Sequence, residues 1–309
     1  MPRKPTSMLR VAVSAAVLLG ALAVAVVAVG QPSSADAGPL GLPHPVPISA
    51  VRYGAPPLRV LLVGDSLAGS LGVGLGDIAA AYNIRLVNAG TPGCSVSMDG
   101  IILLTYTVNP PGTPCVLNQP DHLLSTWQSW VDAYRPDVVL YVGRGDVINQ
   151  VVRHRWTYIG RRYFNRWFLS RLHAAIAVLG SRGAKVVLMT VPVSRQNTVN
   201  PRPEDSARRA GRDGGLLRLA VAGHANASVY DLGELLTPGL VYRSSAQGVP
   251  LRCVDGVHVT AEAGMVVAAD LYPRLWALAG AARVPGGGGW VAGGVPPTTP
   301  AWWQKLNCT

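Results

Sequence analysis

Phenylalanine occurs only twice in 309 residues, and no long apolar lid is evident, so a surface built to engulf fatty chains is not expected. Acidic side chains are also scarce, 16 against 27 Lys plus Arg, leaving a formal charge of +11. Such an excess draws polyanions and anionic surfaces from a distance but carries no information about the fold. Nucleic acid is not an expected partner. The four cysteines form no CxxC pair and no His/Cys cluster with metal spacing, which excludes a zinc site; no metal or other cofactor is expected. No internal repeat is visible.

The ends of the chain differ from its middle. Arg3, Lys4 and Arg10 precede an uncharged apolar run from Val11 to Val29. That run approaches bilayer-spanning length at about 1.5 Å per residue and exceeds the roughly 7–15 residue core of a cleavable signal. Ala35-Asp36-Ala37 before Gly38 is nevertheless a small-x-small cleavage pattern. Residues 1–30 therefore read as a signal peptide or an N-terminal membrane anchor, and both place the rest outside the cytoplasm, the positive flank staying inside. Residues 31–57, rich in Pro, Ser, Ala and Gly, read as a linker, and residues 281–309 as a Gly/Pro/Trp-rich tail. An even number of cysteines in an oxidising compartment predicts two disulfides. Of three pairings, Cys94 with Cys115 closes a short loop and Cys253 with Cys308 pins the tail near His258; these are the expected bonds.

Residues 58–280 form the expected folded domain. Short β-branched runs at Arg59 to Gly64, Ile84 to Ala89, Asp137 to Gly143, Ala184 to Thr190 and Ser228 to Leu232 read as buried parallel strands. Helix-length segments lie at about 67–82, 119–134, 163–182, 204–222 and 260–278. Strands alternating with helices predict an α/β fold, a doubly wound sheet with helices on both faces and a site at the strands' carboxyl ends.

Two blocks at that edge carry chemistry. Gly64-Asp65-Ser66-Leu67 leaves the first strand and enters a helix, so Ser66 is exposed at a turn where helix N–H groups can meet an oxyanion. Asp255-Gly256-Val257-His258 precedes the last helix and supplies a base with a carboxylate to hold its tautomer. VLLVGDSLAGSL and the DxxH block resemble those of the SGNH (GDSL-type) hydrolases. The resemblance implies a three-layer, flavodoxin-like parallel sheet of five strands and a triad of Ser66, Asp255 and His258.

In that family a Gly and an Asn add oxyanion donors. Val87-Asn88-Ala89-Gly90 matches the Gly block, which makes Gly90 a candidate beside the Ser66 N–H. Where the family has GxND, this chain has Gly143-Arg144-Gly145-Asp146, so the Asn is missing. Arg144 and Asn149 are the two candidate replacements, Arg144 leading narrowly. The G-R-x-acid variant and the GTPGC stretch from Gly90 resemble SGNH domains fused to, or partnered with, membrane acyltransferases that modify envelope polysaccharides. A basic, aromatic stretch from Val151 to Trp167 is expected as a loop bordering the site, able to grip a sugar or anionic polymer, or else as a solvated helix face. The expected function is an extracytoplasmic serine esterase or O-acyltransferase acting on acyl esters of an envelope carbohydrate. The alternative is a catalytically degraded module that binds glycan or docks on a membrane acyltransferase.

Overall fold

Every strand expected at the sheet is present, and the chain order of the strands explains where the site must lie. The computed structural model describes residues 54–97, 101–104, 107–108, 122–195, 203–280 and 308. The predicted signal or anchor, nearly all of the linker, Cys115 and the tail up to residue 307 lie outside the described residues. The chain divides into Met1–Leu40, outside those residues, and the unit Gly41–Thr309 to which all of them belong. Among the described residues no helix is long and apolar enough to cross a membrane.

In chain order the elements are β1 (Leu58–Gly64), α1 (Ser66–Ala79), β2 (Ile84–Gly90), β3 (Ile101–Leu104), β4 (Thr107–Val108), α2 (His122–Tyr134) and β5 (Val138–Val142). There follow β6 (Gln150–Val152), β7 (Arg155–Thr157), α3 (Arg162–Leu179), β8 (Lys185–Met189), α4 (Pro203–Val221), β9 (Ala227–Tyr230) and α5 (Leu232–Leu236). The hairpin strands β10 (Ser245–Ala246) and β11 (Val249–Pro250) precede α6 (Ala261–Ala279). The central sheet has the order β2-β1-β5-β8-β9 and is parallel throughout. Its middle strand β5 is buried along its whole length, as expected of a strand covered on both faces.

The direction of winding reverses once. From β1 the chain passes through α1 to β2 on one side, then through α2 to β5 on the other side of β1. Parallel crossovers share one hand, so α1 and α2 cover opposite faces, and the crevice opens at the carboxyl end of β1. The helices group accordingly: α6 packs on α1, whereas α3 packs on both α2 and α4. The result is a three-layer, doubly wound α/β fold with Ser66 at its switch point.

The contact between α1 and α6 is close because both helices offer glycine. A Cβ on Gly74 would stand 1.9 Å from the Ala261 carbonyl oxygen, and one on Gly264 would stand 2.8 Å from the Gly74 Cα. Farther along, Tyr272 Oη donates to the Leu75 carbonyl at 2.6 Å and Trp276 Nε1 to that of Tyr82 at 2.8 Å. The N-terminus of α6, and the loop that carries His258 into it, are thereby held against the helix that begins with Ser66.

Two features depart from expectation. The stretch from Val151, expected as a loop or a helix face, runs through β6 and β7 before entering α3, and with β3 and β4 these strands form a four-stranded antiparallel sheet. Its hairpin turns through Arg153 and His154, both left-handed at φ 48° and 64°. A two-residue turn of that shape ordinarily takes Asn-Gly, so an Arg-His pair gives no signal of it in sequence. The β10–β11 hairpin was likewise not foreseen, each strand being only two residues long. Cys253 is bonded to Cys308 as expected. Cys94 is disulfide-bonded too, its expected partner Cys115 lying outside the described residues.

Gly74→Ala tests the helix crossing. Alanine ordinarily favours a helix by about 1 kcal/mol over glycine. Here the added methyl group is expected to force α1 and α6 apart at a net cost of about 1–3 kcal/mol, lowering Tm by roughly 2–12 °C in calorimetry. A raised Tm would show that the crossing tolerates a side chain.

Candidate active site

The register of the sheet brings three turns to one place. Gly64 at the end of β1 pairs with Gly90 at the end of β2 and with Val142 at the end of β5. Gly64 has φ +135°, and a Cβ there would fall 1.9 Å from the Val142 carbonyl oxygen, so no other residue fits. Asp65 follows and caps α1, its Oδ1 accepting the Leu67 N–H at 2.9 Å. Its Oδ2 accepts the Gly145 N–H at 2.6 Å from the turn after β5. One carboxylate thus joins the Ser66 turn to the Gly145 turn. Burial pushes the Asp65 carboxyl up from its ordinary range, while the N–H groups of Gly145 and Leu67 and the Arg144 charge oppose that shift. Ser66 is the first residue of α1 and half-buried, at the positive end of the helix.

Asp255 and His258 form a self-contained pair. Asp255 Oδ1 accepts the N–H groups of Val257 at 2.8 Å and His258 at 3.0 Å, and its Oδ2 is bonded to His258 Nδ1. Burial works against the charge on Asp255, but the His258 ring and these N–H groups outweigh it and hold the carboxyl at about 2. An ionised Asp255 accepting from Nδ1 fixes the tautomer in which Nε2 is the basic nitrogen. The loop is fastened to α1 one turn beyond Ser66: Ser70 Oγ accepts the Val259 N–H at 3.2 Å and donates to the Leu67 carbonyl at 2.9 Å. Buried Arg252 secures the other side, its Nη1 donating to the Val257 carbonyl at 3.5 Å and its Nη2 to that of Val193 at 3.3 Å. Burial lowers the Arg252 guanidinium to about 10, with Tyr242 and Asp255 opposing.

The three remaining candidates have different surroundings. Gly90 lies at the sheet edge, but its N–H is turned to Asn88 Oδ1 at 3.1 Å, while Asn88 Nδ2 donates to the Gly69 carbonyl at 2.8 Å. Arg144 is buried in the 3-10 turn Arg144–Val147. Burial lowers its pKa, and the charges of Asp65 and Asp255 oppose that, so its guanidinium lies within the field of both carboxylates. Asn149 Oδ1 accepts from Arg209 Nη1 on α4 at 2.8 Å, which orients that amide toward α4. Beneath the turn lies a polar cluster that sequence reasoning missed. Asp146 accepts from Tyr141 Oη at 2.5 Å and from the Ser97 N–H at 3.0 Å, and Gln150 Nε2 donates to Ser97 Oγ at 2.8 Å and to the Gly145 carbonyl at 3.1 Å. Burial raises Asp146 to about 7 against the hydrogen bonds from Ser97 and Tyr141. Asp65 was legible as part of its motif; Ser70 was not, since nothing local announces its bond to the Val259 N–H. The long-range partners of Asp65 were not legible either.

Residues 39–273 match the family model described as the SGNH domain fused to AT3 domains. This chain belongs to the SGNH domain family. No curated protein matches it. Among solved structures it is similar to a GDSL-like lipase from Bacteroides thetaiotaomicron, at 15% identity over 72% of this chain and 91% of that one, with a TM-score of 0.43. It is also similar to a psychrotrophic esterase from Pseudoalteromonas sp., at 18% identity over 69% of this chain and 94% of that one, TM-score 0.42. An acetyl xylan esterase shares 18% identity over 70% of this chain and 99% of that one, TM-score 0.43. In this SGNH domain the disulfide to Cys308 enters at Cys253, two residues before Asp255, so a covalent bond braces the loop that carries Asp255 and His258.

The Asp255–His258 bond has an acid signature. The Asp255 carboxyl, held at about 2 against an ordinary 3.8, adds stability that is fully present above pH 3.8 and lost as the pH falls toward about 2. Asp255→Asn is expected to flatten the stability profile across that window in acid unfolding followed by circular dichroism, and to lower ester-hydrolysis kcat by about 10³–10⁴. An unchanged acid profile would remove the ionic pairing from the site.

Proposed function

We propose that this SGNH domain is an extracytoplasmic serine esterase or O-acyltransferase acting on acyl, chiefly acetyl, esters of an envelope carbohydrate. The observation that carries this reading is the Asp255–His258 pair, fastened through Ser70 to the helix that begins with Ser66. In the proposed reaction Ser66 Oγ attacks the ester carbonyl carbon and its proton passes to His258 Nε2. The tetrahedral intermediate collapses, the C–O bond breaks, and the alcohol leaves with the proton from Nε2. Water or a sugar hydroxyl then attacks the acyl-Ser66, again giving its proton to Nε2; the second tetrahedral intermediate collapses, the acyl C–Oγ bond breaks, and Ser66 Oγ takes that proton back from Nε2. The Ser66 N–H at the helix N-terminus faces the developing oxyanion, and Arg144 adds positive charge nearby. Hydrolysis and transfer differ in the acceptor alone. A fused or associated membrane acyltransferase, the arrangement after which the family is described, would supply the acyl group for transfer.

The basic hairpin supports a polymeric, anionic carbohydrate. Between Val147 and Pro203 the chain has no Asp or Glu. Trp156 is 51% exposed and Tyr163 39% exposed, with Arg155 poised 5.8 Å over the Tyr163 ring. Exposed rings beside arginines are suited to stacking on sugars while attracting anionic groups. The second reading, a degraded module that only binds glycan or docks on a membrane acyltransferase, draws on one observation: glycine stands at position 145 where the family has its Asn donor.

A fluorophosphonate probe separates the two readings. Labelling of the wild type at Ser66, abolished in Ser66→Ala and mapped by peptide mass spectrometry, is the expected result; equal labelling of both would displace the nucleophile. The hairpin has its own test. Trp156→Ala combined with Arg155→Ala is expected to raise KM severalfold for an acetylated anionic polysaccharide, leaving kcat and KM for a small acetyl ester unchanged. A parallel rise in both KM values would deny the hairpin a role in gripping polymer.

A further inference from the structure

The missing Asn leaves a place in the turn after β5 that another side chain fills. Gly145 does not have the left-handed backbone that demands glycine, so its backbone alone would accept an Asn. What excludes a side chain there is Ser95: a Cβ on Gly145 would fall 2.2 Å from Ser95 Oγ and 3.0 Å from Ser95 Cβ. The same virtual Cβ would lie 3.4 Å from Asp65 Oδ2, the carboxylate adjoining the nucleophile. Ser95 therefore occupies the volume into which an Asn at position 145 would project, and the two positions are complementary in size.

The hydroxyl has a second peculiarity. Ser95 is 0% exposed, and its Oγ has no hydrogen-bond partner among the described residues. Its neighbours in sequence are satisfied: the Val96 N–H donates to Tyr141 Oη at 2.9 Å and the Ser97 N–H to Asp146 Oδ1 at 3.0 Å. A buried hydroxyl without a partner is unfavourable in the resting protein, and a partner that arrives only during the reaction would account for it. An oxyanion donor is such a group, since it is unsatisfied in the ground state and satisfied in the transition state. Of the other candidates, Asn149 is turned to Arg209, and Arg144 contributes charge at this place, in the field of Asp65 and Asp255.

We infer that the Ser95 hydroxyl replaces the family's Asn as the side-chain donor to the tetrahedral oxyanion on the acyl-Ser66 pathway. This inference rests on the acyl-transfer reading above. No bond forms to Ser95; its O–H donates to the carbonyl oxygen as that oxygen gains negative charge.

Kinetics on a small acetyl ester, together with thermal unfolding, test it. Ser95→Ala is expected to lower kcat about 10²–10³-fold with KM within about twofold, the loss ordinarily seen for one oxyanion donor. Its Tm should hold or rise, because an unsatisfied buried polar group is removed. A serine that merely supports the fold would show the opposite pattern, a lower Tm with kcat kept. The exchange Ser95→Gly with Gly145→Asn makes room for the family's arrangement and is expected to recover at least tenfold in kcat over Ser95→Gly alone. Full kcat in Ser95→Ala, with the wild type active and labelled at Ser66, overturns the Ser95 role and leaves the acyl-transfer reading standing. A wild type that neither turns over ester nor takes the probe overturns both.

Discussion

The carboxylate of Asp65 holds three parts of this molecule in one place. It caps the helix that Ser66 begins, and it accepts the Gly145 N–H from the far side of β1. Burying such a group costs several kcal/mol unless it is well bonded; here backbone donors and Arg144 offset only part of that cost, since burial still raises its pKa. Because Asp65 is adjacent to Ser66, any shift of the β5 turn is transmitted to that serine. The sheet makes this possible: the ends of β1, β2 and β5 lie side by side in register, so each following turn emerges at the same edge.

Asp255 and His258 reach that edge by a different route. They come from a short loop that is complete within itself, Asp255 taking both backbone and ring donors from residues within three positions. What brings this loop to Ser66 is helix packing. The glycine contact between α1 and α6, the Val259 bond to Ser70 and the disulfide at Cys253 all act on it. The Asp255–His258 loop is thus preformed locally and placed globally, as the proposed chemistry would require of groups that need fixed separations.

Much of the surrounding polarity is buried and raised in energy. Asp146 is pushed to about 7, and Asp213 well above the carboxylate range, both by burial. Arg144 and Arg252 are likewise buried, and each lies in the field of Asp255. Such a cluster is a poor source of stability and a good source of rigid, oriented charge, the environment in which an oxyanion donor is most effective.

The sequence by itself determined the five parallel strands, the serine at the end of the first and the Asp-His block before the last helix. Those features reside in local runs: hydrophobic stretches of strand length, a cap, a three-residue spacing. Tertiary structure alone decided what fills the place of the absent Asn. Ser95 and Gly145 are far apart in sequence, and nothing local to either marks them as neighbours; the sheet edge makes them so. It also decided that the basic stretch from Val151 is a hairpin, because an Arg-His turn has none of the residue preferences that announce one. Contacts between distant segments depend on strand order and helix crossing, which no window of sequence contains.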